Sequence, residues 1–337
     1  VAGFLALSVL AAVGIARVEV DTFTLDYLFP DHTVRRDSDF IESRVGPYTG
    51  LDFIIRSNST SILRPEVMAA LASWQRAAVQ SGAAGWSMPA AVPGPKASPF
   101  PGVTTEDKRS LRVTFGVRMQ SARALQRNIE VLSQHAEFPS DIEVNAAGYL
   151  PLYTKIVSHV VESQLASIGI SFILAFLVIG ALLRSVELTL LAFLVNLLPV
   201  VLMVGFMGFA GIRIDVATVT TSTIILGLMV DEAVHILYRL EKEGAAGHPA
   251  GIRQVMETAG QPLAVTTALV IIGFGVLTLA DVRSIVWIGL LVPIGAAAAF
   301  AADVMLLPAL VILRRPVLRG SATLPRRTVP EPAAGRS

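Results

Sequence analysis

After Ser163 the chain falls into five long runs of apolar residues: Leu165–Leu183, Leu188–Ala210, Val216–Tyr238, Leu263–Ala280 and Ile285–Leu313. A helix that crosses a bilayer needs about 20 predominantly apolar residues. With the apolar start Val1–Ala16, the pattern predicts about six transmembrane helices. Between the first and second lies a long polar region, Arg17–Glu162. Here the periodicity changes. Leu51–Arg56 reads as a strand, and Leu111–Val117 alternates at period two and reads as another. Asp141–Ala146 reads as a third strand. Pro65–Gln80 reads as a helix with proline in its first turn, and Gln120–His135 as a second. Gly82–Asp107, rich in Pro, Gly, Ala and Ser, reads as a loop. Lys155–Glu162 looks helical and is placed to run into the second span. The fold class expected is a polytopic α-helical membrane bundle with an α+β extracytoplasmic domain between its first and second helices. The divisions are a transmembrane helix over 1–16, the α+β domain over 17–162, five transmembrane helices over 163–313 and a disordered cytoplasmic tail over 314–337.

Composition sharpens this picture. Of 337 residues 53% are hydrophobic and only 16% charged, and the mean hydropathy is +0.63. Soluble domains carry about 25% charged residues, so the balance is that of an integral membrane protein. The distribution of Lys and Arg sets the expected orientation. Arg184, Arg239, Lys242, Arg253 and the cluster after Leu313 lie on one side, against Arg213 and Arg283 in the short loops of the other. The basic side is then cytoplasmic, and the polar domain faces the periplasm or exterior of a bacterial inner (plasma) membrane. Val1–Ala16 has no basic leader and no cleavage site, so the chain reads as beginning inside or just before a membrane helix. The charged stretch Leu240–Gly260 reads as a short connecting helix on the cytoplasmic side, with a helix lying along the membrane as the alternative.

Candidate chemistry sits in the fourth span. Thr220, Gly227, Asp231 and His235 share one narrow helical stripe, and Glu232 lies about 100° around the helix. A carboxylate at a helix centre costs about 2.5–3.5 kcal/mol on the insertion scale. Such residues usually face the bundle interior and mark ion or proton pathways. The opposing reading makes the acids interfacial anchors, snorkelling or paired with Arg239 and Lys242. Thr220, Thr221, Asn196, Thr266 and Thr267 are candidates for polar support within the membrane, with Pro199 interrupting the third span. Gly205, Gly208, Gly211, Gly273 and Gly275 are candidates for close helix approach. Cysteine is absent, which excludes disulfides and thiolate metal sites. No Walker loop or nucleophile elbow is present, and His32, His135, His159 and His248 lack metal-ligand spacing. No cofactor, metal, nucleic-acid or enzymatic role is therefore expected, and an ion gradient is a better energy source than ATP.

From Gln164 onward the chain resembles the resistance-nodulation-division superfamily, in the exporter branch near the MMPL, Patched and sterol-sensing proteins. The likeness is carried by SQLASIGISF (Ser163–Phe172), by the run Leu182–Thr218, by TTALVIIGFGVL (Thr266–Leu277), by ADVMLLPAL (Ala302–Leu310) and above all by ATVTTSTIILGLMVDEAVHILYR (Ala217–Arg239). The last is similar to the family's G-L-x-V-D-[DY]-x-x-H helix, with Glu232 where the family has Asp or Tyr. The resemblance implies one half of a transporter, in the order of its second half, with Arg17–Glu162 as a porter-like domain. It implies export of hydrophobic or amphipathic, lipid-like molecules driven by the proton-motive force. Asp231 is then the relay acid, with Glu232 and His235 adjusting it, and movement passes through Lys155–Glu162 to the domain. The partners implied are an amino-terminal half, a lipid-like substrate and membrane lipids; a homo-oligomer is compatible. Two other readings stay open: a non-transporting sensor or scaffold of the sterol-sensing type, and an accessory subunit of a protein translocase.

Overall fold

The computed structural model describes residues 1–58, 61–88, 103–242 and 249–313; the side chains of Met229, Asp231, Glu241, Lys242 and Pro249 lie outside the described residues. Five helices are long and apolar enough to cross a membrane, and they carry the last half of the described chain. They are α5 (Tyr149–Leu183), α6 (Val186–Ala210), α7 (Val216–Lys242), α8 (Pro249–Gly275) and α9 (Arg283–Ala301). The last continues through a π-helical turn, Ala302–Leu306, into a helix Leu307–Leu313. The first apolar run forms α1 (Ala2–Ile15), whose 14 residues span about 21 Å at 1.5 Å per residue. α1 lies along α6 with backbones nearly touching. A Cβ on Gly205 would come within 2.6 Å of Ala11 Cα, and one on Gly208 would meet the Gly14 carbonyl oxygen. Of the other candidate glycines, Gly211 caps α6 in the left-handed region at φ +66°, while Gly273 and Gly275 have open space beside them.

The polar region folds as an α+β domain around a four-stranded antiparallel sheet. Its strands are β1 (Thr49–Ser57), β2 (Trp86–Met88), β3 (Ser110–Val117) and β4 (Ile142–Ala147), in the order β2-β3-β1-β4. β1 alternates as a half-buried strand should: Leu51, Phe53 and Ile55 point into the core. Helices α3 (Pro65–Gln80) and α4 (Ala122–Gln134) supply Val67, Leu71, Trp74, Leu125 and Leu132 to the same core. Trp74 stacks edge-on with Phe53, Phe115 and Phe138, and its indole N–H donates to the Leu132 carbonyl at 2.7 Å. The short β2 lies inside the stretch read from sequence as a loop. It is held by the Trp86 indole, which donates to the Pro47 carbonyl at 2.6 Å. A helix α2 (Thr33–Arg44) and a 3₁₀ turn (Thr24–Tyr27) complete the segment after α1.

Two joints fix the domain to the bundle. One is α5 itself, a single helix of 35 residues that starts beside β4 and ends in the membrane region. The expected boundary at 162/163 therefore falls inside a continuous rod. The other is a charged knot around Asp26. Arg35 and Arg213 bind its carboxylate at 3.1 and 2.7 Å, Arg283 approaches to 3.9 Å, and Arg213 also binds Glu19 at 3.1 Å. Backbone bridges Val20–Ile214 and Leu28–Val282 reinforce it. The starts of α7 and α9 are thus both tied to the segment that follows α1. Beside the knot, burial pushes the Tyr27 phenol above the ordinary tyrosine range, with the charge of Asp215 and neighbouring Tyr153 adding to the effect.

On the opposite side of the bundle, residues 249–262 form the first part of α8, continuous with its apolar part. Of the stretch Leu240–Gly260, read as a connecting helix, residues 240–242 continue α7 and residues 249–260 belong to α8, while 243–248 lie outside the described residues. Pro262 does not end α8, which continues through it to Gly275. The tail expected to be disordered, 314–337, lies outside the described residues.

Candidate functional site

The inward face of α7 is set by spacing. Thr221, Ile225, Glu232 and Ile236 recur at intervals of four and seven and are all buried. Glu232 is 4% exposed, packed with Ala233, Ile236 and Leu237. Its side chain is enclosed within the bundle rather than exposed at the helix surface. Across from it, on α8, Thr267 is 3% exposed. Its Oγ1 lies 3.3 Å from Glu232 Oε1 and 2.8 Å from the Leu263 carbonyl, so its single proton can serve either acceptor. The contact places α7 and α8 side by side at this depth.

Asp303, in the run between α9 and the last helix, was not singled out among the sequence candidates. It is 1% exposed, and neither carboxyl oxygen has a hydrogen-bond partner among the described residues. It interacts electrostatically with Glu232. The local backbone is unusual for a reason visible in the sequence. Pro308 has no N–H to donate and its ring crowds the carbonyl one turn earlier. The helix opens just before it into the π turn that carries Asp303, closed by the Leu307 N–H on the Ala302 carbonyl. Such turns concentrate at functional sites. The signal available from sequence was a lone acid within an apolar run of membrane length.

The remaining candidates divide between two surfaces. Asn196 and Thr221 are buried at 3% and 0%, with Asn196 Nδ2 and Thr221 Oγ1 unpartnered among the described residues. They add polarity to the interior, as does Thr267. Thr220, Thr266 and His235 are exposed instead. Thr220 and Thr266 return their hydroxyls to the Val216 and Leu263 carbonyls of their own helices, at 2.9 Å each. Asp231 lies on α7 one residue before Glu232, and its side chain falls outside the described residues. Among the described residues no cluster of three His, Asp or Glu could hold a metal ion.

The succession of a four-stranded α+β domain and five long helices, with acids buried among them, coincides with a family match. A model of the MMPL family covers residues 66–332, from the start of α3 to beyond the last helix. The chain belongs to the MMPL family. It is a multi-pass membrane protein of the resistance-nodulation-division superfamily. Over 198 residues this MMPL chain is 30% identical to a membrane protein of Methanocaldococcus jannaschii, an alignment taking in 57% of the chain and 50% of that relative. The chain thus spans about half the length of the curated relative it matches.

Proposed function

We propose that this chain is one half of a proton-driven exporter of hydrophobic or amphipathic molecules. The observation that carries the reading is the pair of carboxyls, Glu232 and Asp303, both buried and in electrostatic interaction with each other. A carboxyl in such surroundings is costly when charged and tolerable when neutral. Taking up or losing a proton therefore changes how α7, α8 and the π turn pack. Asp231, Glu232 and Asp303 take up and release protons, with His235 on the flank of the same helix adjusting the relay. The mechanical output follows from the fold. α7 and α9 carry the acids, and their far ends are tied through Arg213 and Arg283 to Asp26. A shift of either helix is delivered to the base of the domain, together with any tilt of α5.

The faces of the bundle support a second half. α5 exposes Ile170, Ile173, Leu174, Leu177 and Val178, a lipid-facing surface. The exposed face of α7 is different: Thr220, Thr223, Gly227 and His235 are small or polar. Such a face suits another helix rather than lipid. The bias of Arg184, Arg239 and Arg253 puts the end opposite the domain in the cytoplasm, and the domain outside the plasma membrane.

The test uses the full-length transporter in proteoliposomes with an imposed pH gradient and an internal pH dye. Wild type is compared with Asp231→Asn, Glu232→Gln and Asp303→Asn. Loss of a proton-transfer group should lower flux by about 10²-fold or more. Full flux in folded Glu232→Gln and Asp303→Asn proteins would refute the relay. Absence of flux from every version, wild type included, would favour the sensor reading.

A further inference from the structure

Among the described residues, Asn196 of α6 carries an orphaned donor and Asp303 two orphaned acceptors. Asn196 is 3% exposed and its Nδ2 has no hydrogen-bond partner; Asp303 is 1% exposed and neither carboxyl oxygen has one. Such a group costs free energy while it stays buried and unpaired. The two sit in one packed region. The residues flanking each belong to the same apolar cluster: Val195 and Leu198 beside Asn196, Ala302 and Leu306 beside Asp303, with Val230 and Val234 beside Glu232. α6 packs directly against the π turn. It meets α1 at Gly205, nine residues after Asn196 and half a turn around the helix, so Asn196 faces the bundle and not α1. A further unpartnered hydroxyl, Thr221 Oγ1, stands eleven residues before Glu232 on α7, about 16 Å away along the axis.

The surroundings narrow what can answer Asp303. No lysine or arginine occurs from Leu188 to Met203 on α6, or from Ala299 to Leu313. Glu232 is a second acid, and the single proton of the Thr267 hydroxyl is divided between Glu232 and the Leu263 carbonyl. A side-chain amide suits a proton carrier for a chemical reason. It holds two N–H donors and an acceptor oxygen on one plane, and it does not titrate. It can donate to an ionised carboxylate, in a charge-assisted bond. It can also accept the O–H of the protonated acid while donating to its C=O. A basic partner would instead hold the carboxyl in its charged form.

We propose that Asn196 is a positioning residue for Asp303, its amide hydrogen-bonding the carboxyl in both protonation states. The purpose of the contact rests on the relay reading of the two acids; the contact itself is measured separately. Through it α6 is joined to the π turn on one face, and to α1 at Gly205 and Gly208 on the other. A change of protonation at Asp303 then reaches α6 as well as α7 and α9.

The test is infrared difference spectroscopy of the full-length transporter in bilayers, between acidic and alkaline buffer, with proton flux measured on the same proteoliposomes. The carboxylic C=O band that disappears in Asp303→Asn belongs to Asp303. In Asn196→Leu, close in size but unable to hydrogen-bond, that band should move to higher frequency, because a hydrogen bond to a carbonyl weakens its C=O bond. Flux should fall about tenfold, the loss of about one hydrogen bond to a charged group. Asn196→Ser keeps a donor and an acceptor, and should lie between wild type and Asn196→Leu in both readings. Asn196→Ala, which adds no volume, takes the place of Asn196→Leu if that protein does not fold. An unmoved Asp303 band in folded Asn196→Leu or Asn196→Ala would overturn the contact, whatever the flux. A moved band with full flux would overturn the positioning role. Flux absent from wild type would overturn the relay reading, and the band would still decide the contact.

Discussion

Replacing Asp303 by Val should make this protein more stable while abolishing the proton coupling proposed for it. The perturbation removes a carboxyl that is 1% exposed and has no hydrogen-bond partner among the described residues. Its neighbours Ala302, Leu306 and Leu307 are buried and apolar, so a valine meets like surfaces. An uncompensated buried polar group costs about 1–3 kcal/mol by protein mutational data, and that cost is relieved. Removing the carboxyl also relieves its electrostatic interaction with Glu232. A gain of about 1–3 kcal/mol corresponds to a rise of about 2–12 °C in the unfolding midpoint. The assay is thermal unfolding in detergent, followed by tryptophan fluorescence, alongside proton flux in proteoliposomes. Asp303→Asn is the control: it removes the charge, keeps a polar group, and should lose flux with little gain in stability. The reasoning fails if Asp303→Val is less stable by about 3–5 kcal/mol, the cost of breaking a buried pair. That outcome would make Asp303 a structural partner rather than a carrier.

Two further expectations follow from the packing and the knot. Gly208→Leu places side-chain atoms against the Gly14 backbone, which cannot turn aside, so α1 and α6 must separate; the expected loss is about 1–3 kcal/mol, read as a lower unfolding midpoint, and an unchanged midpoint would show that α1 is not held there. Burial raises the Tyr27 phenol above the ordinary tyrosine range, so Tyr27→Phe should remove a late-ionising phenol from an ultraviolet titration. The raised folded value means that the unfolded chain loses its proton first: stability is full below pH 10 and falls as pH rises above it, and Tyr27→Phe should reduce that fall.

Much of this protein is written in its periodicities. Runs of apolar residues fix five crossing helices, because lipid leaves no other way to satisfy a lone backbone segment. Alternation fixed β1 and β3, and Pro65 marked the start of α3 to the residue. The acids of α7 were legible as charges that a bilayer does not tolerate without use. Legibility ended where a residue's meaning depends on what another segment places beside it. Spacing showed that Glu232 and His235 point in different directions, but only packing against α8 and the π turn decided which was inside. β2 has three residues, too few for a pattern, and exists because β3 offers an edge and Pro47 an acceptor. Asp303 reads in sequence as one acid in an apolar run, and becomes a candidate only because the fold brings it into electrostatic interaction with Glu232, 71 positions earlier. Local physics writes the elements into the chain one segment at a time. The site is a relation between segments, and that relation exists only once they have packed.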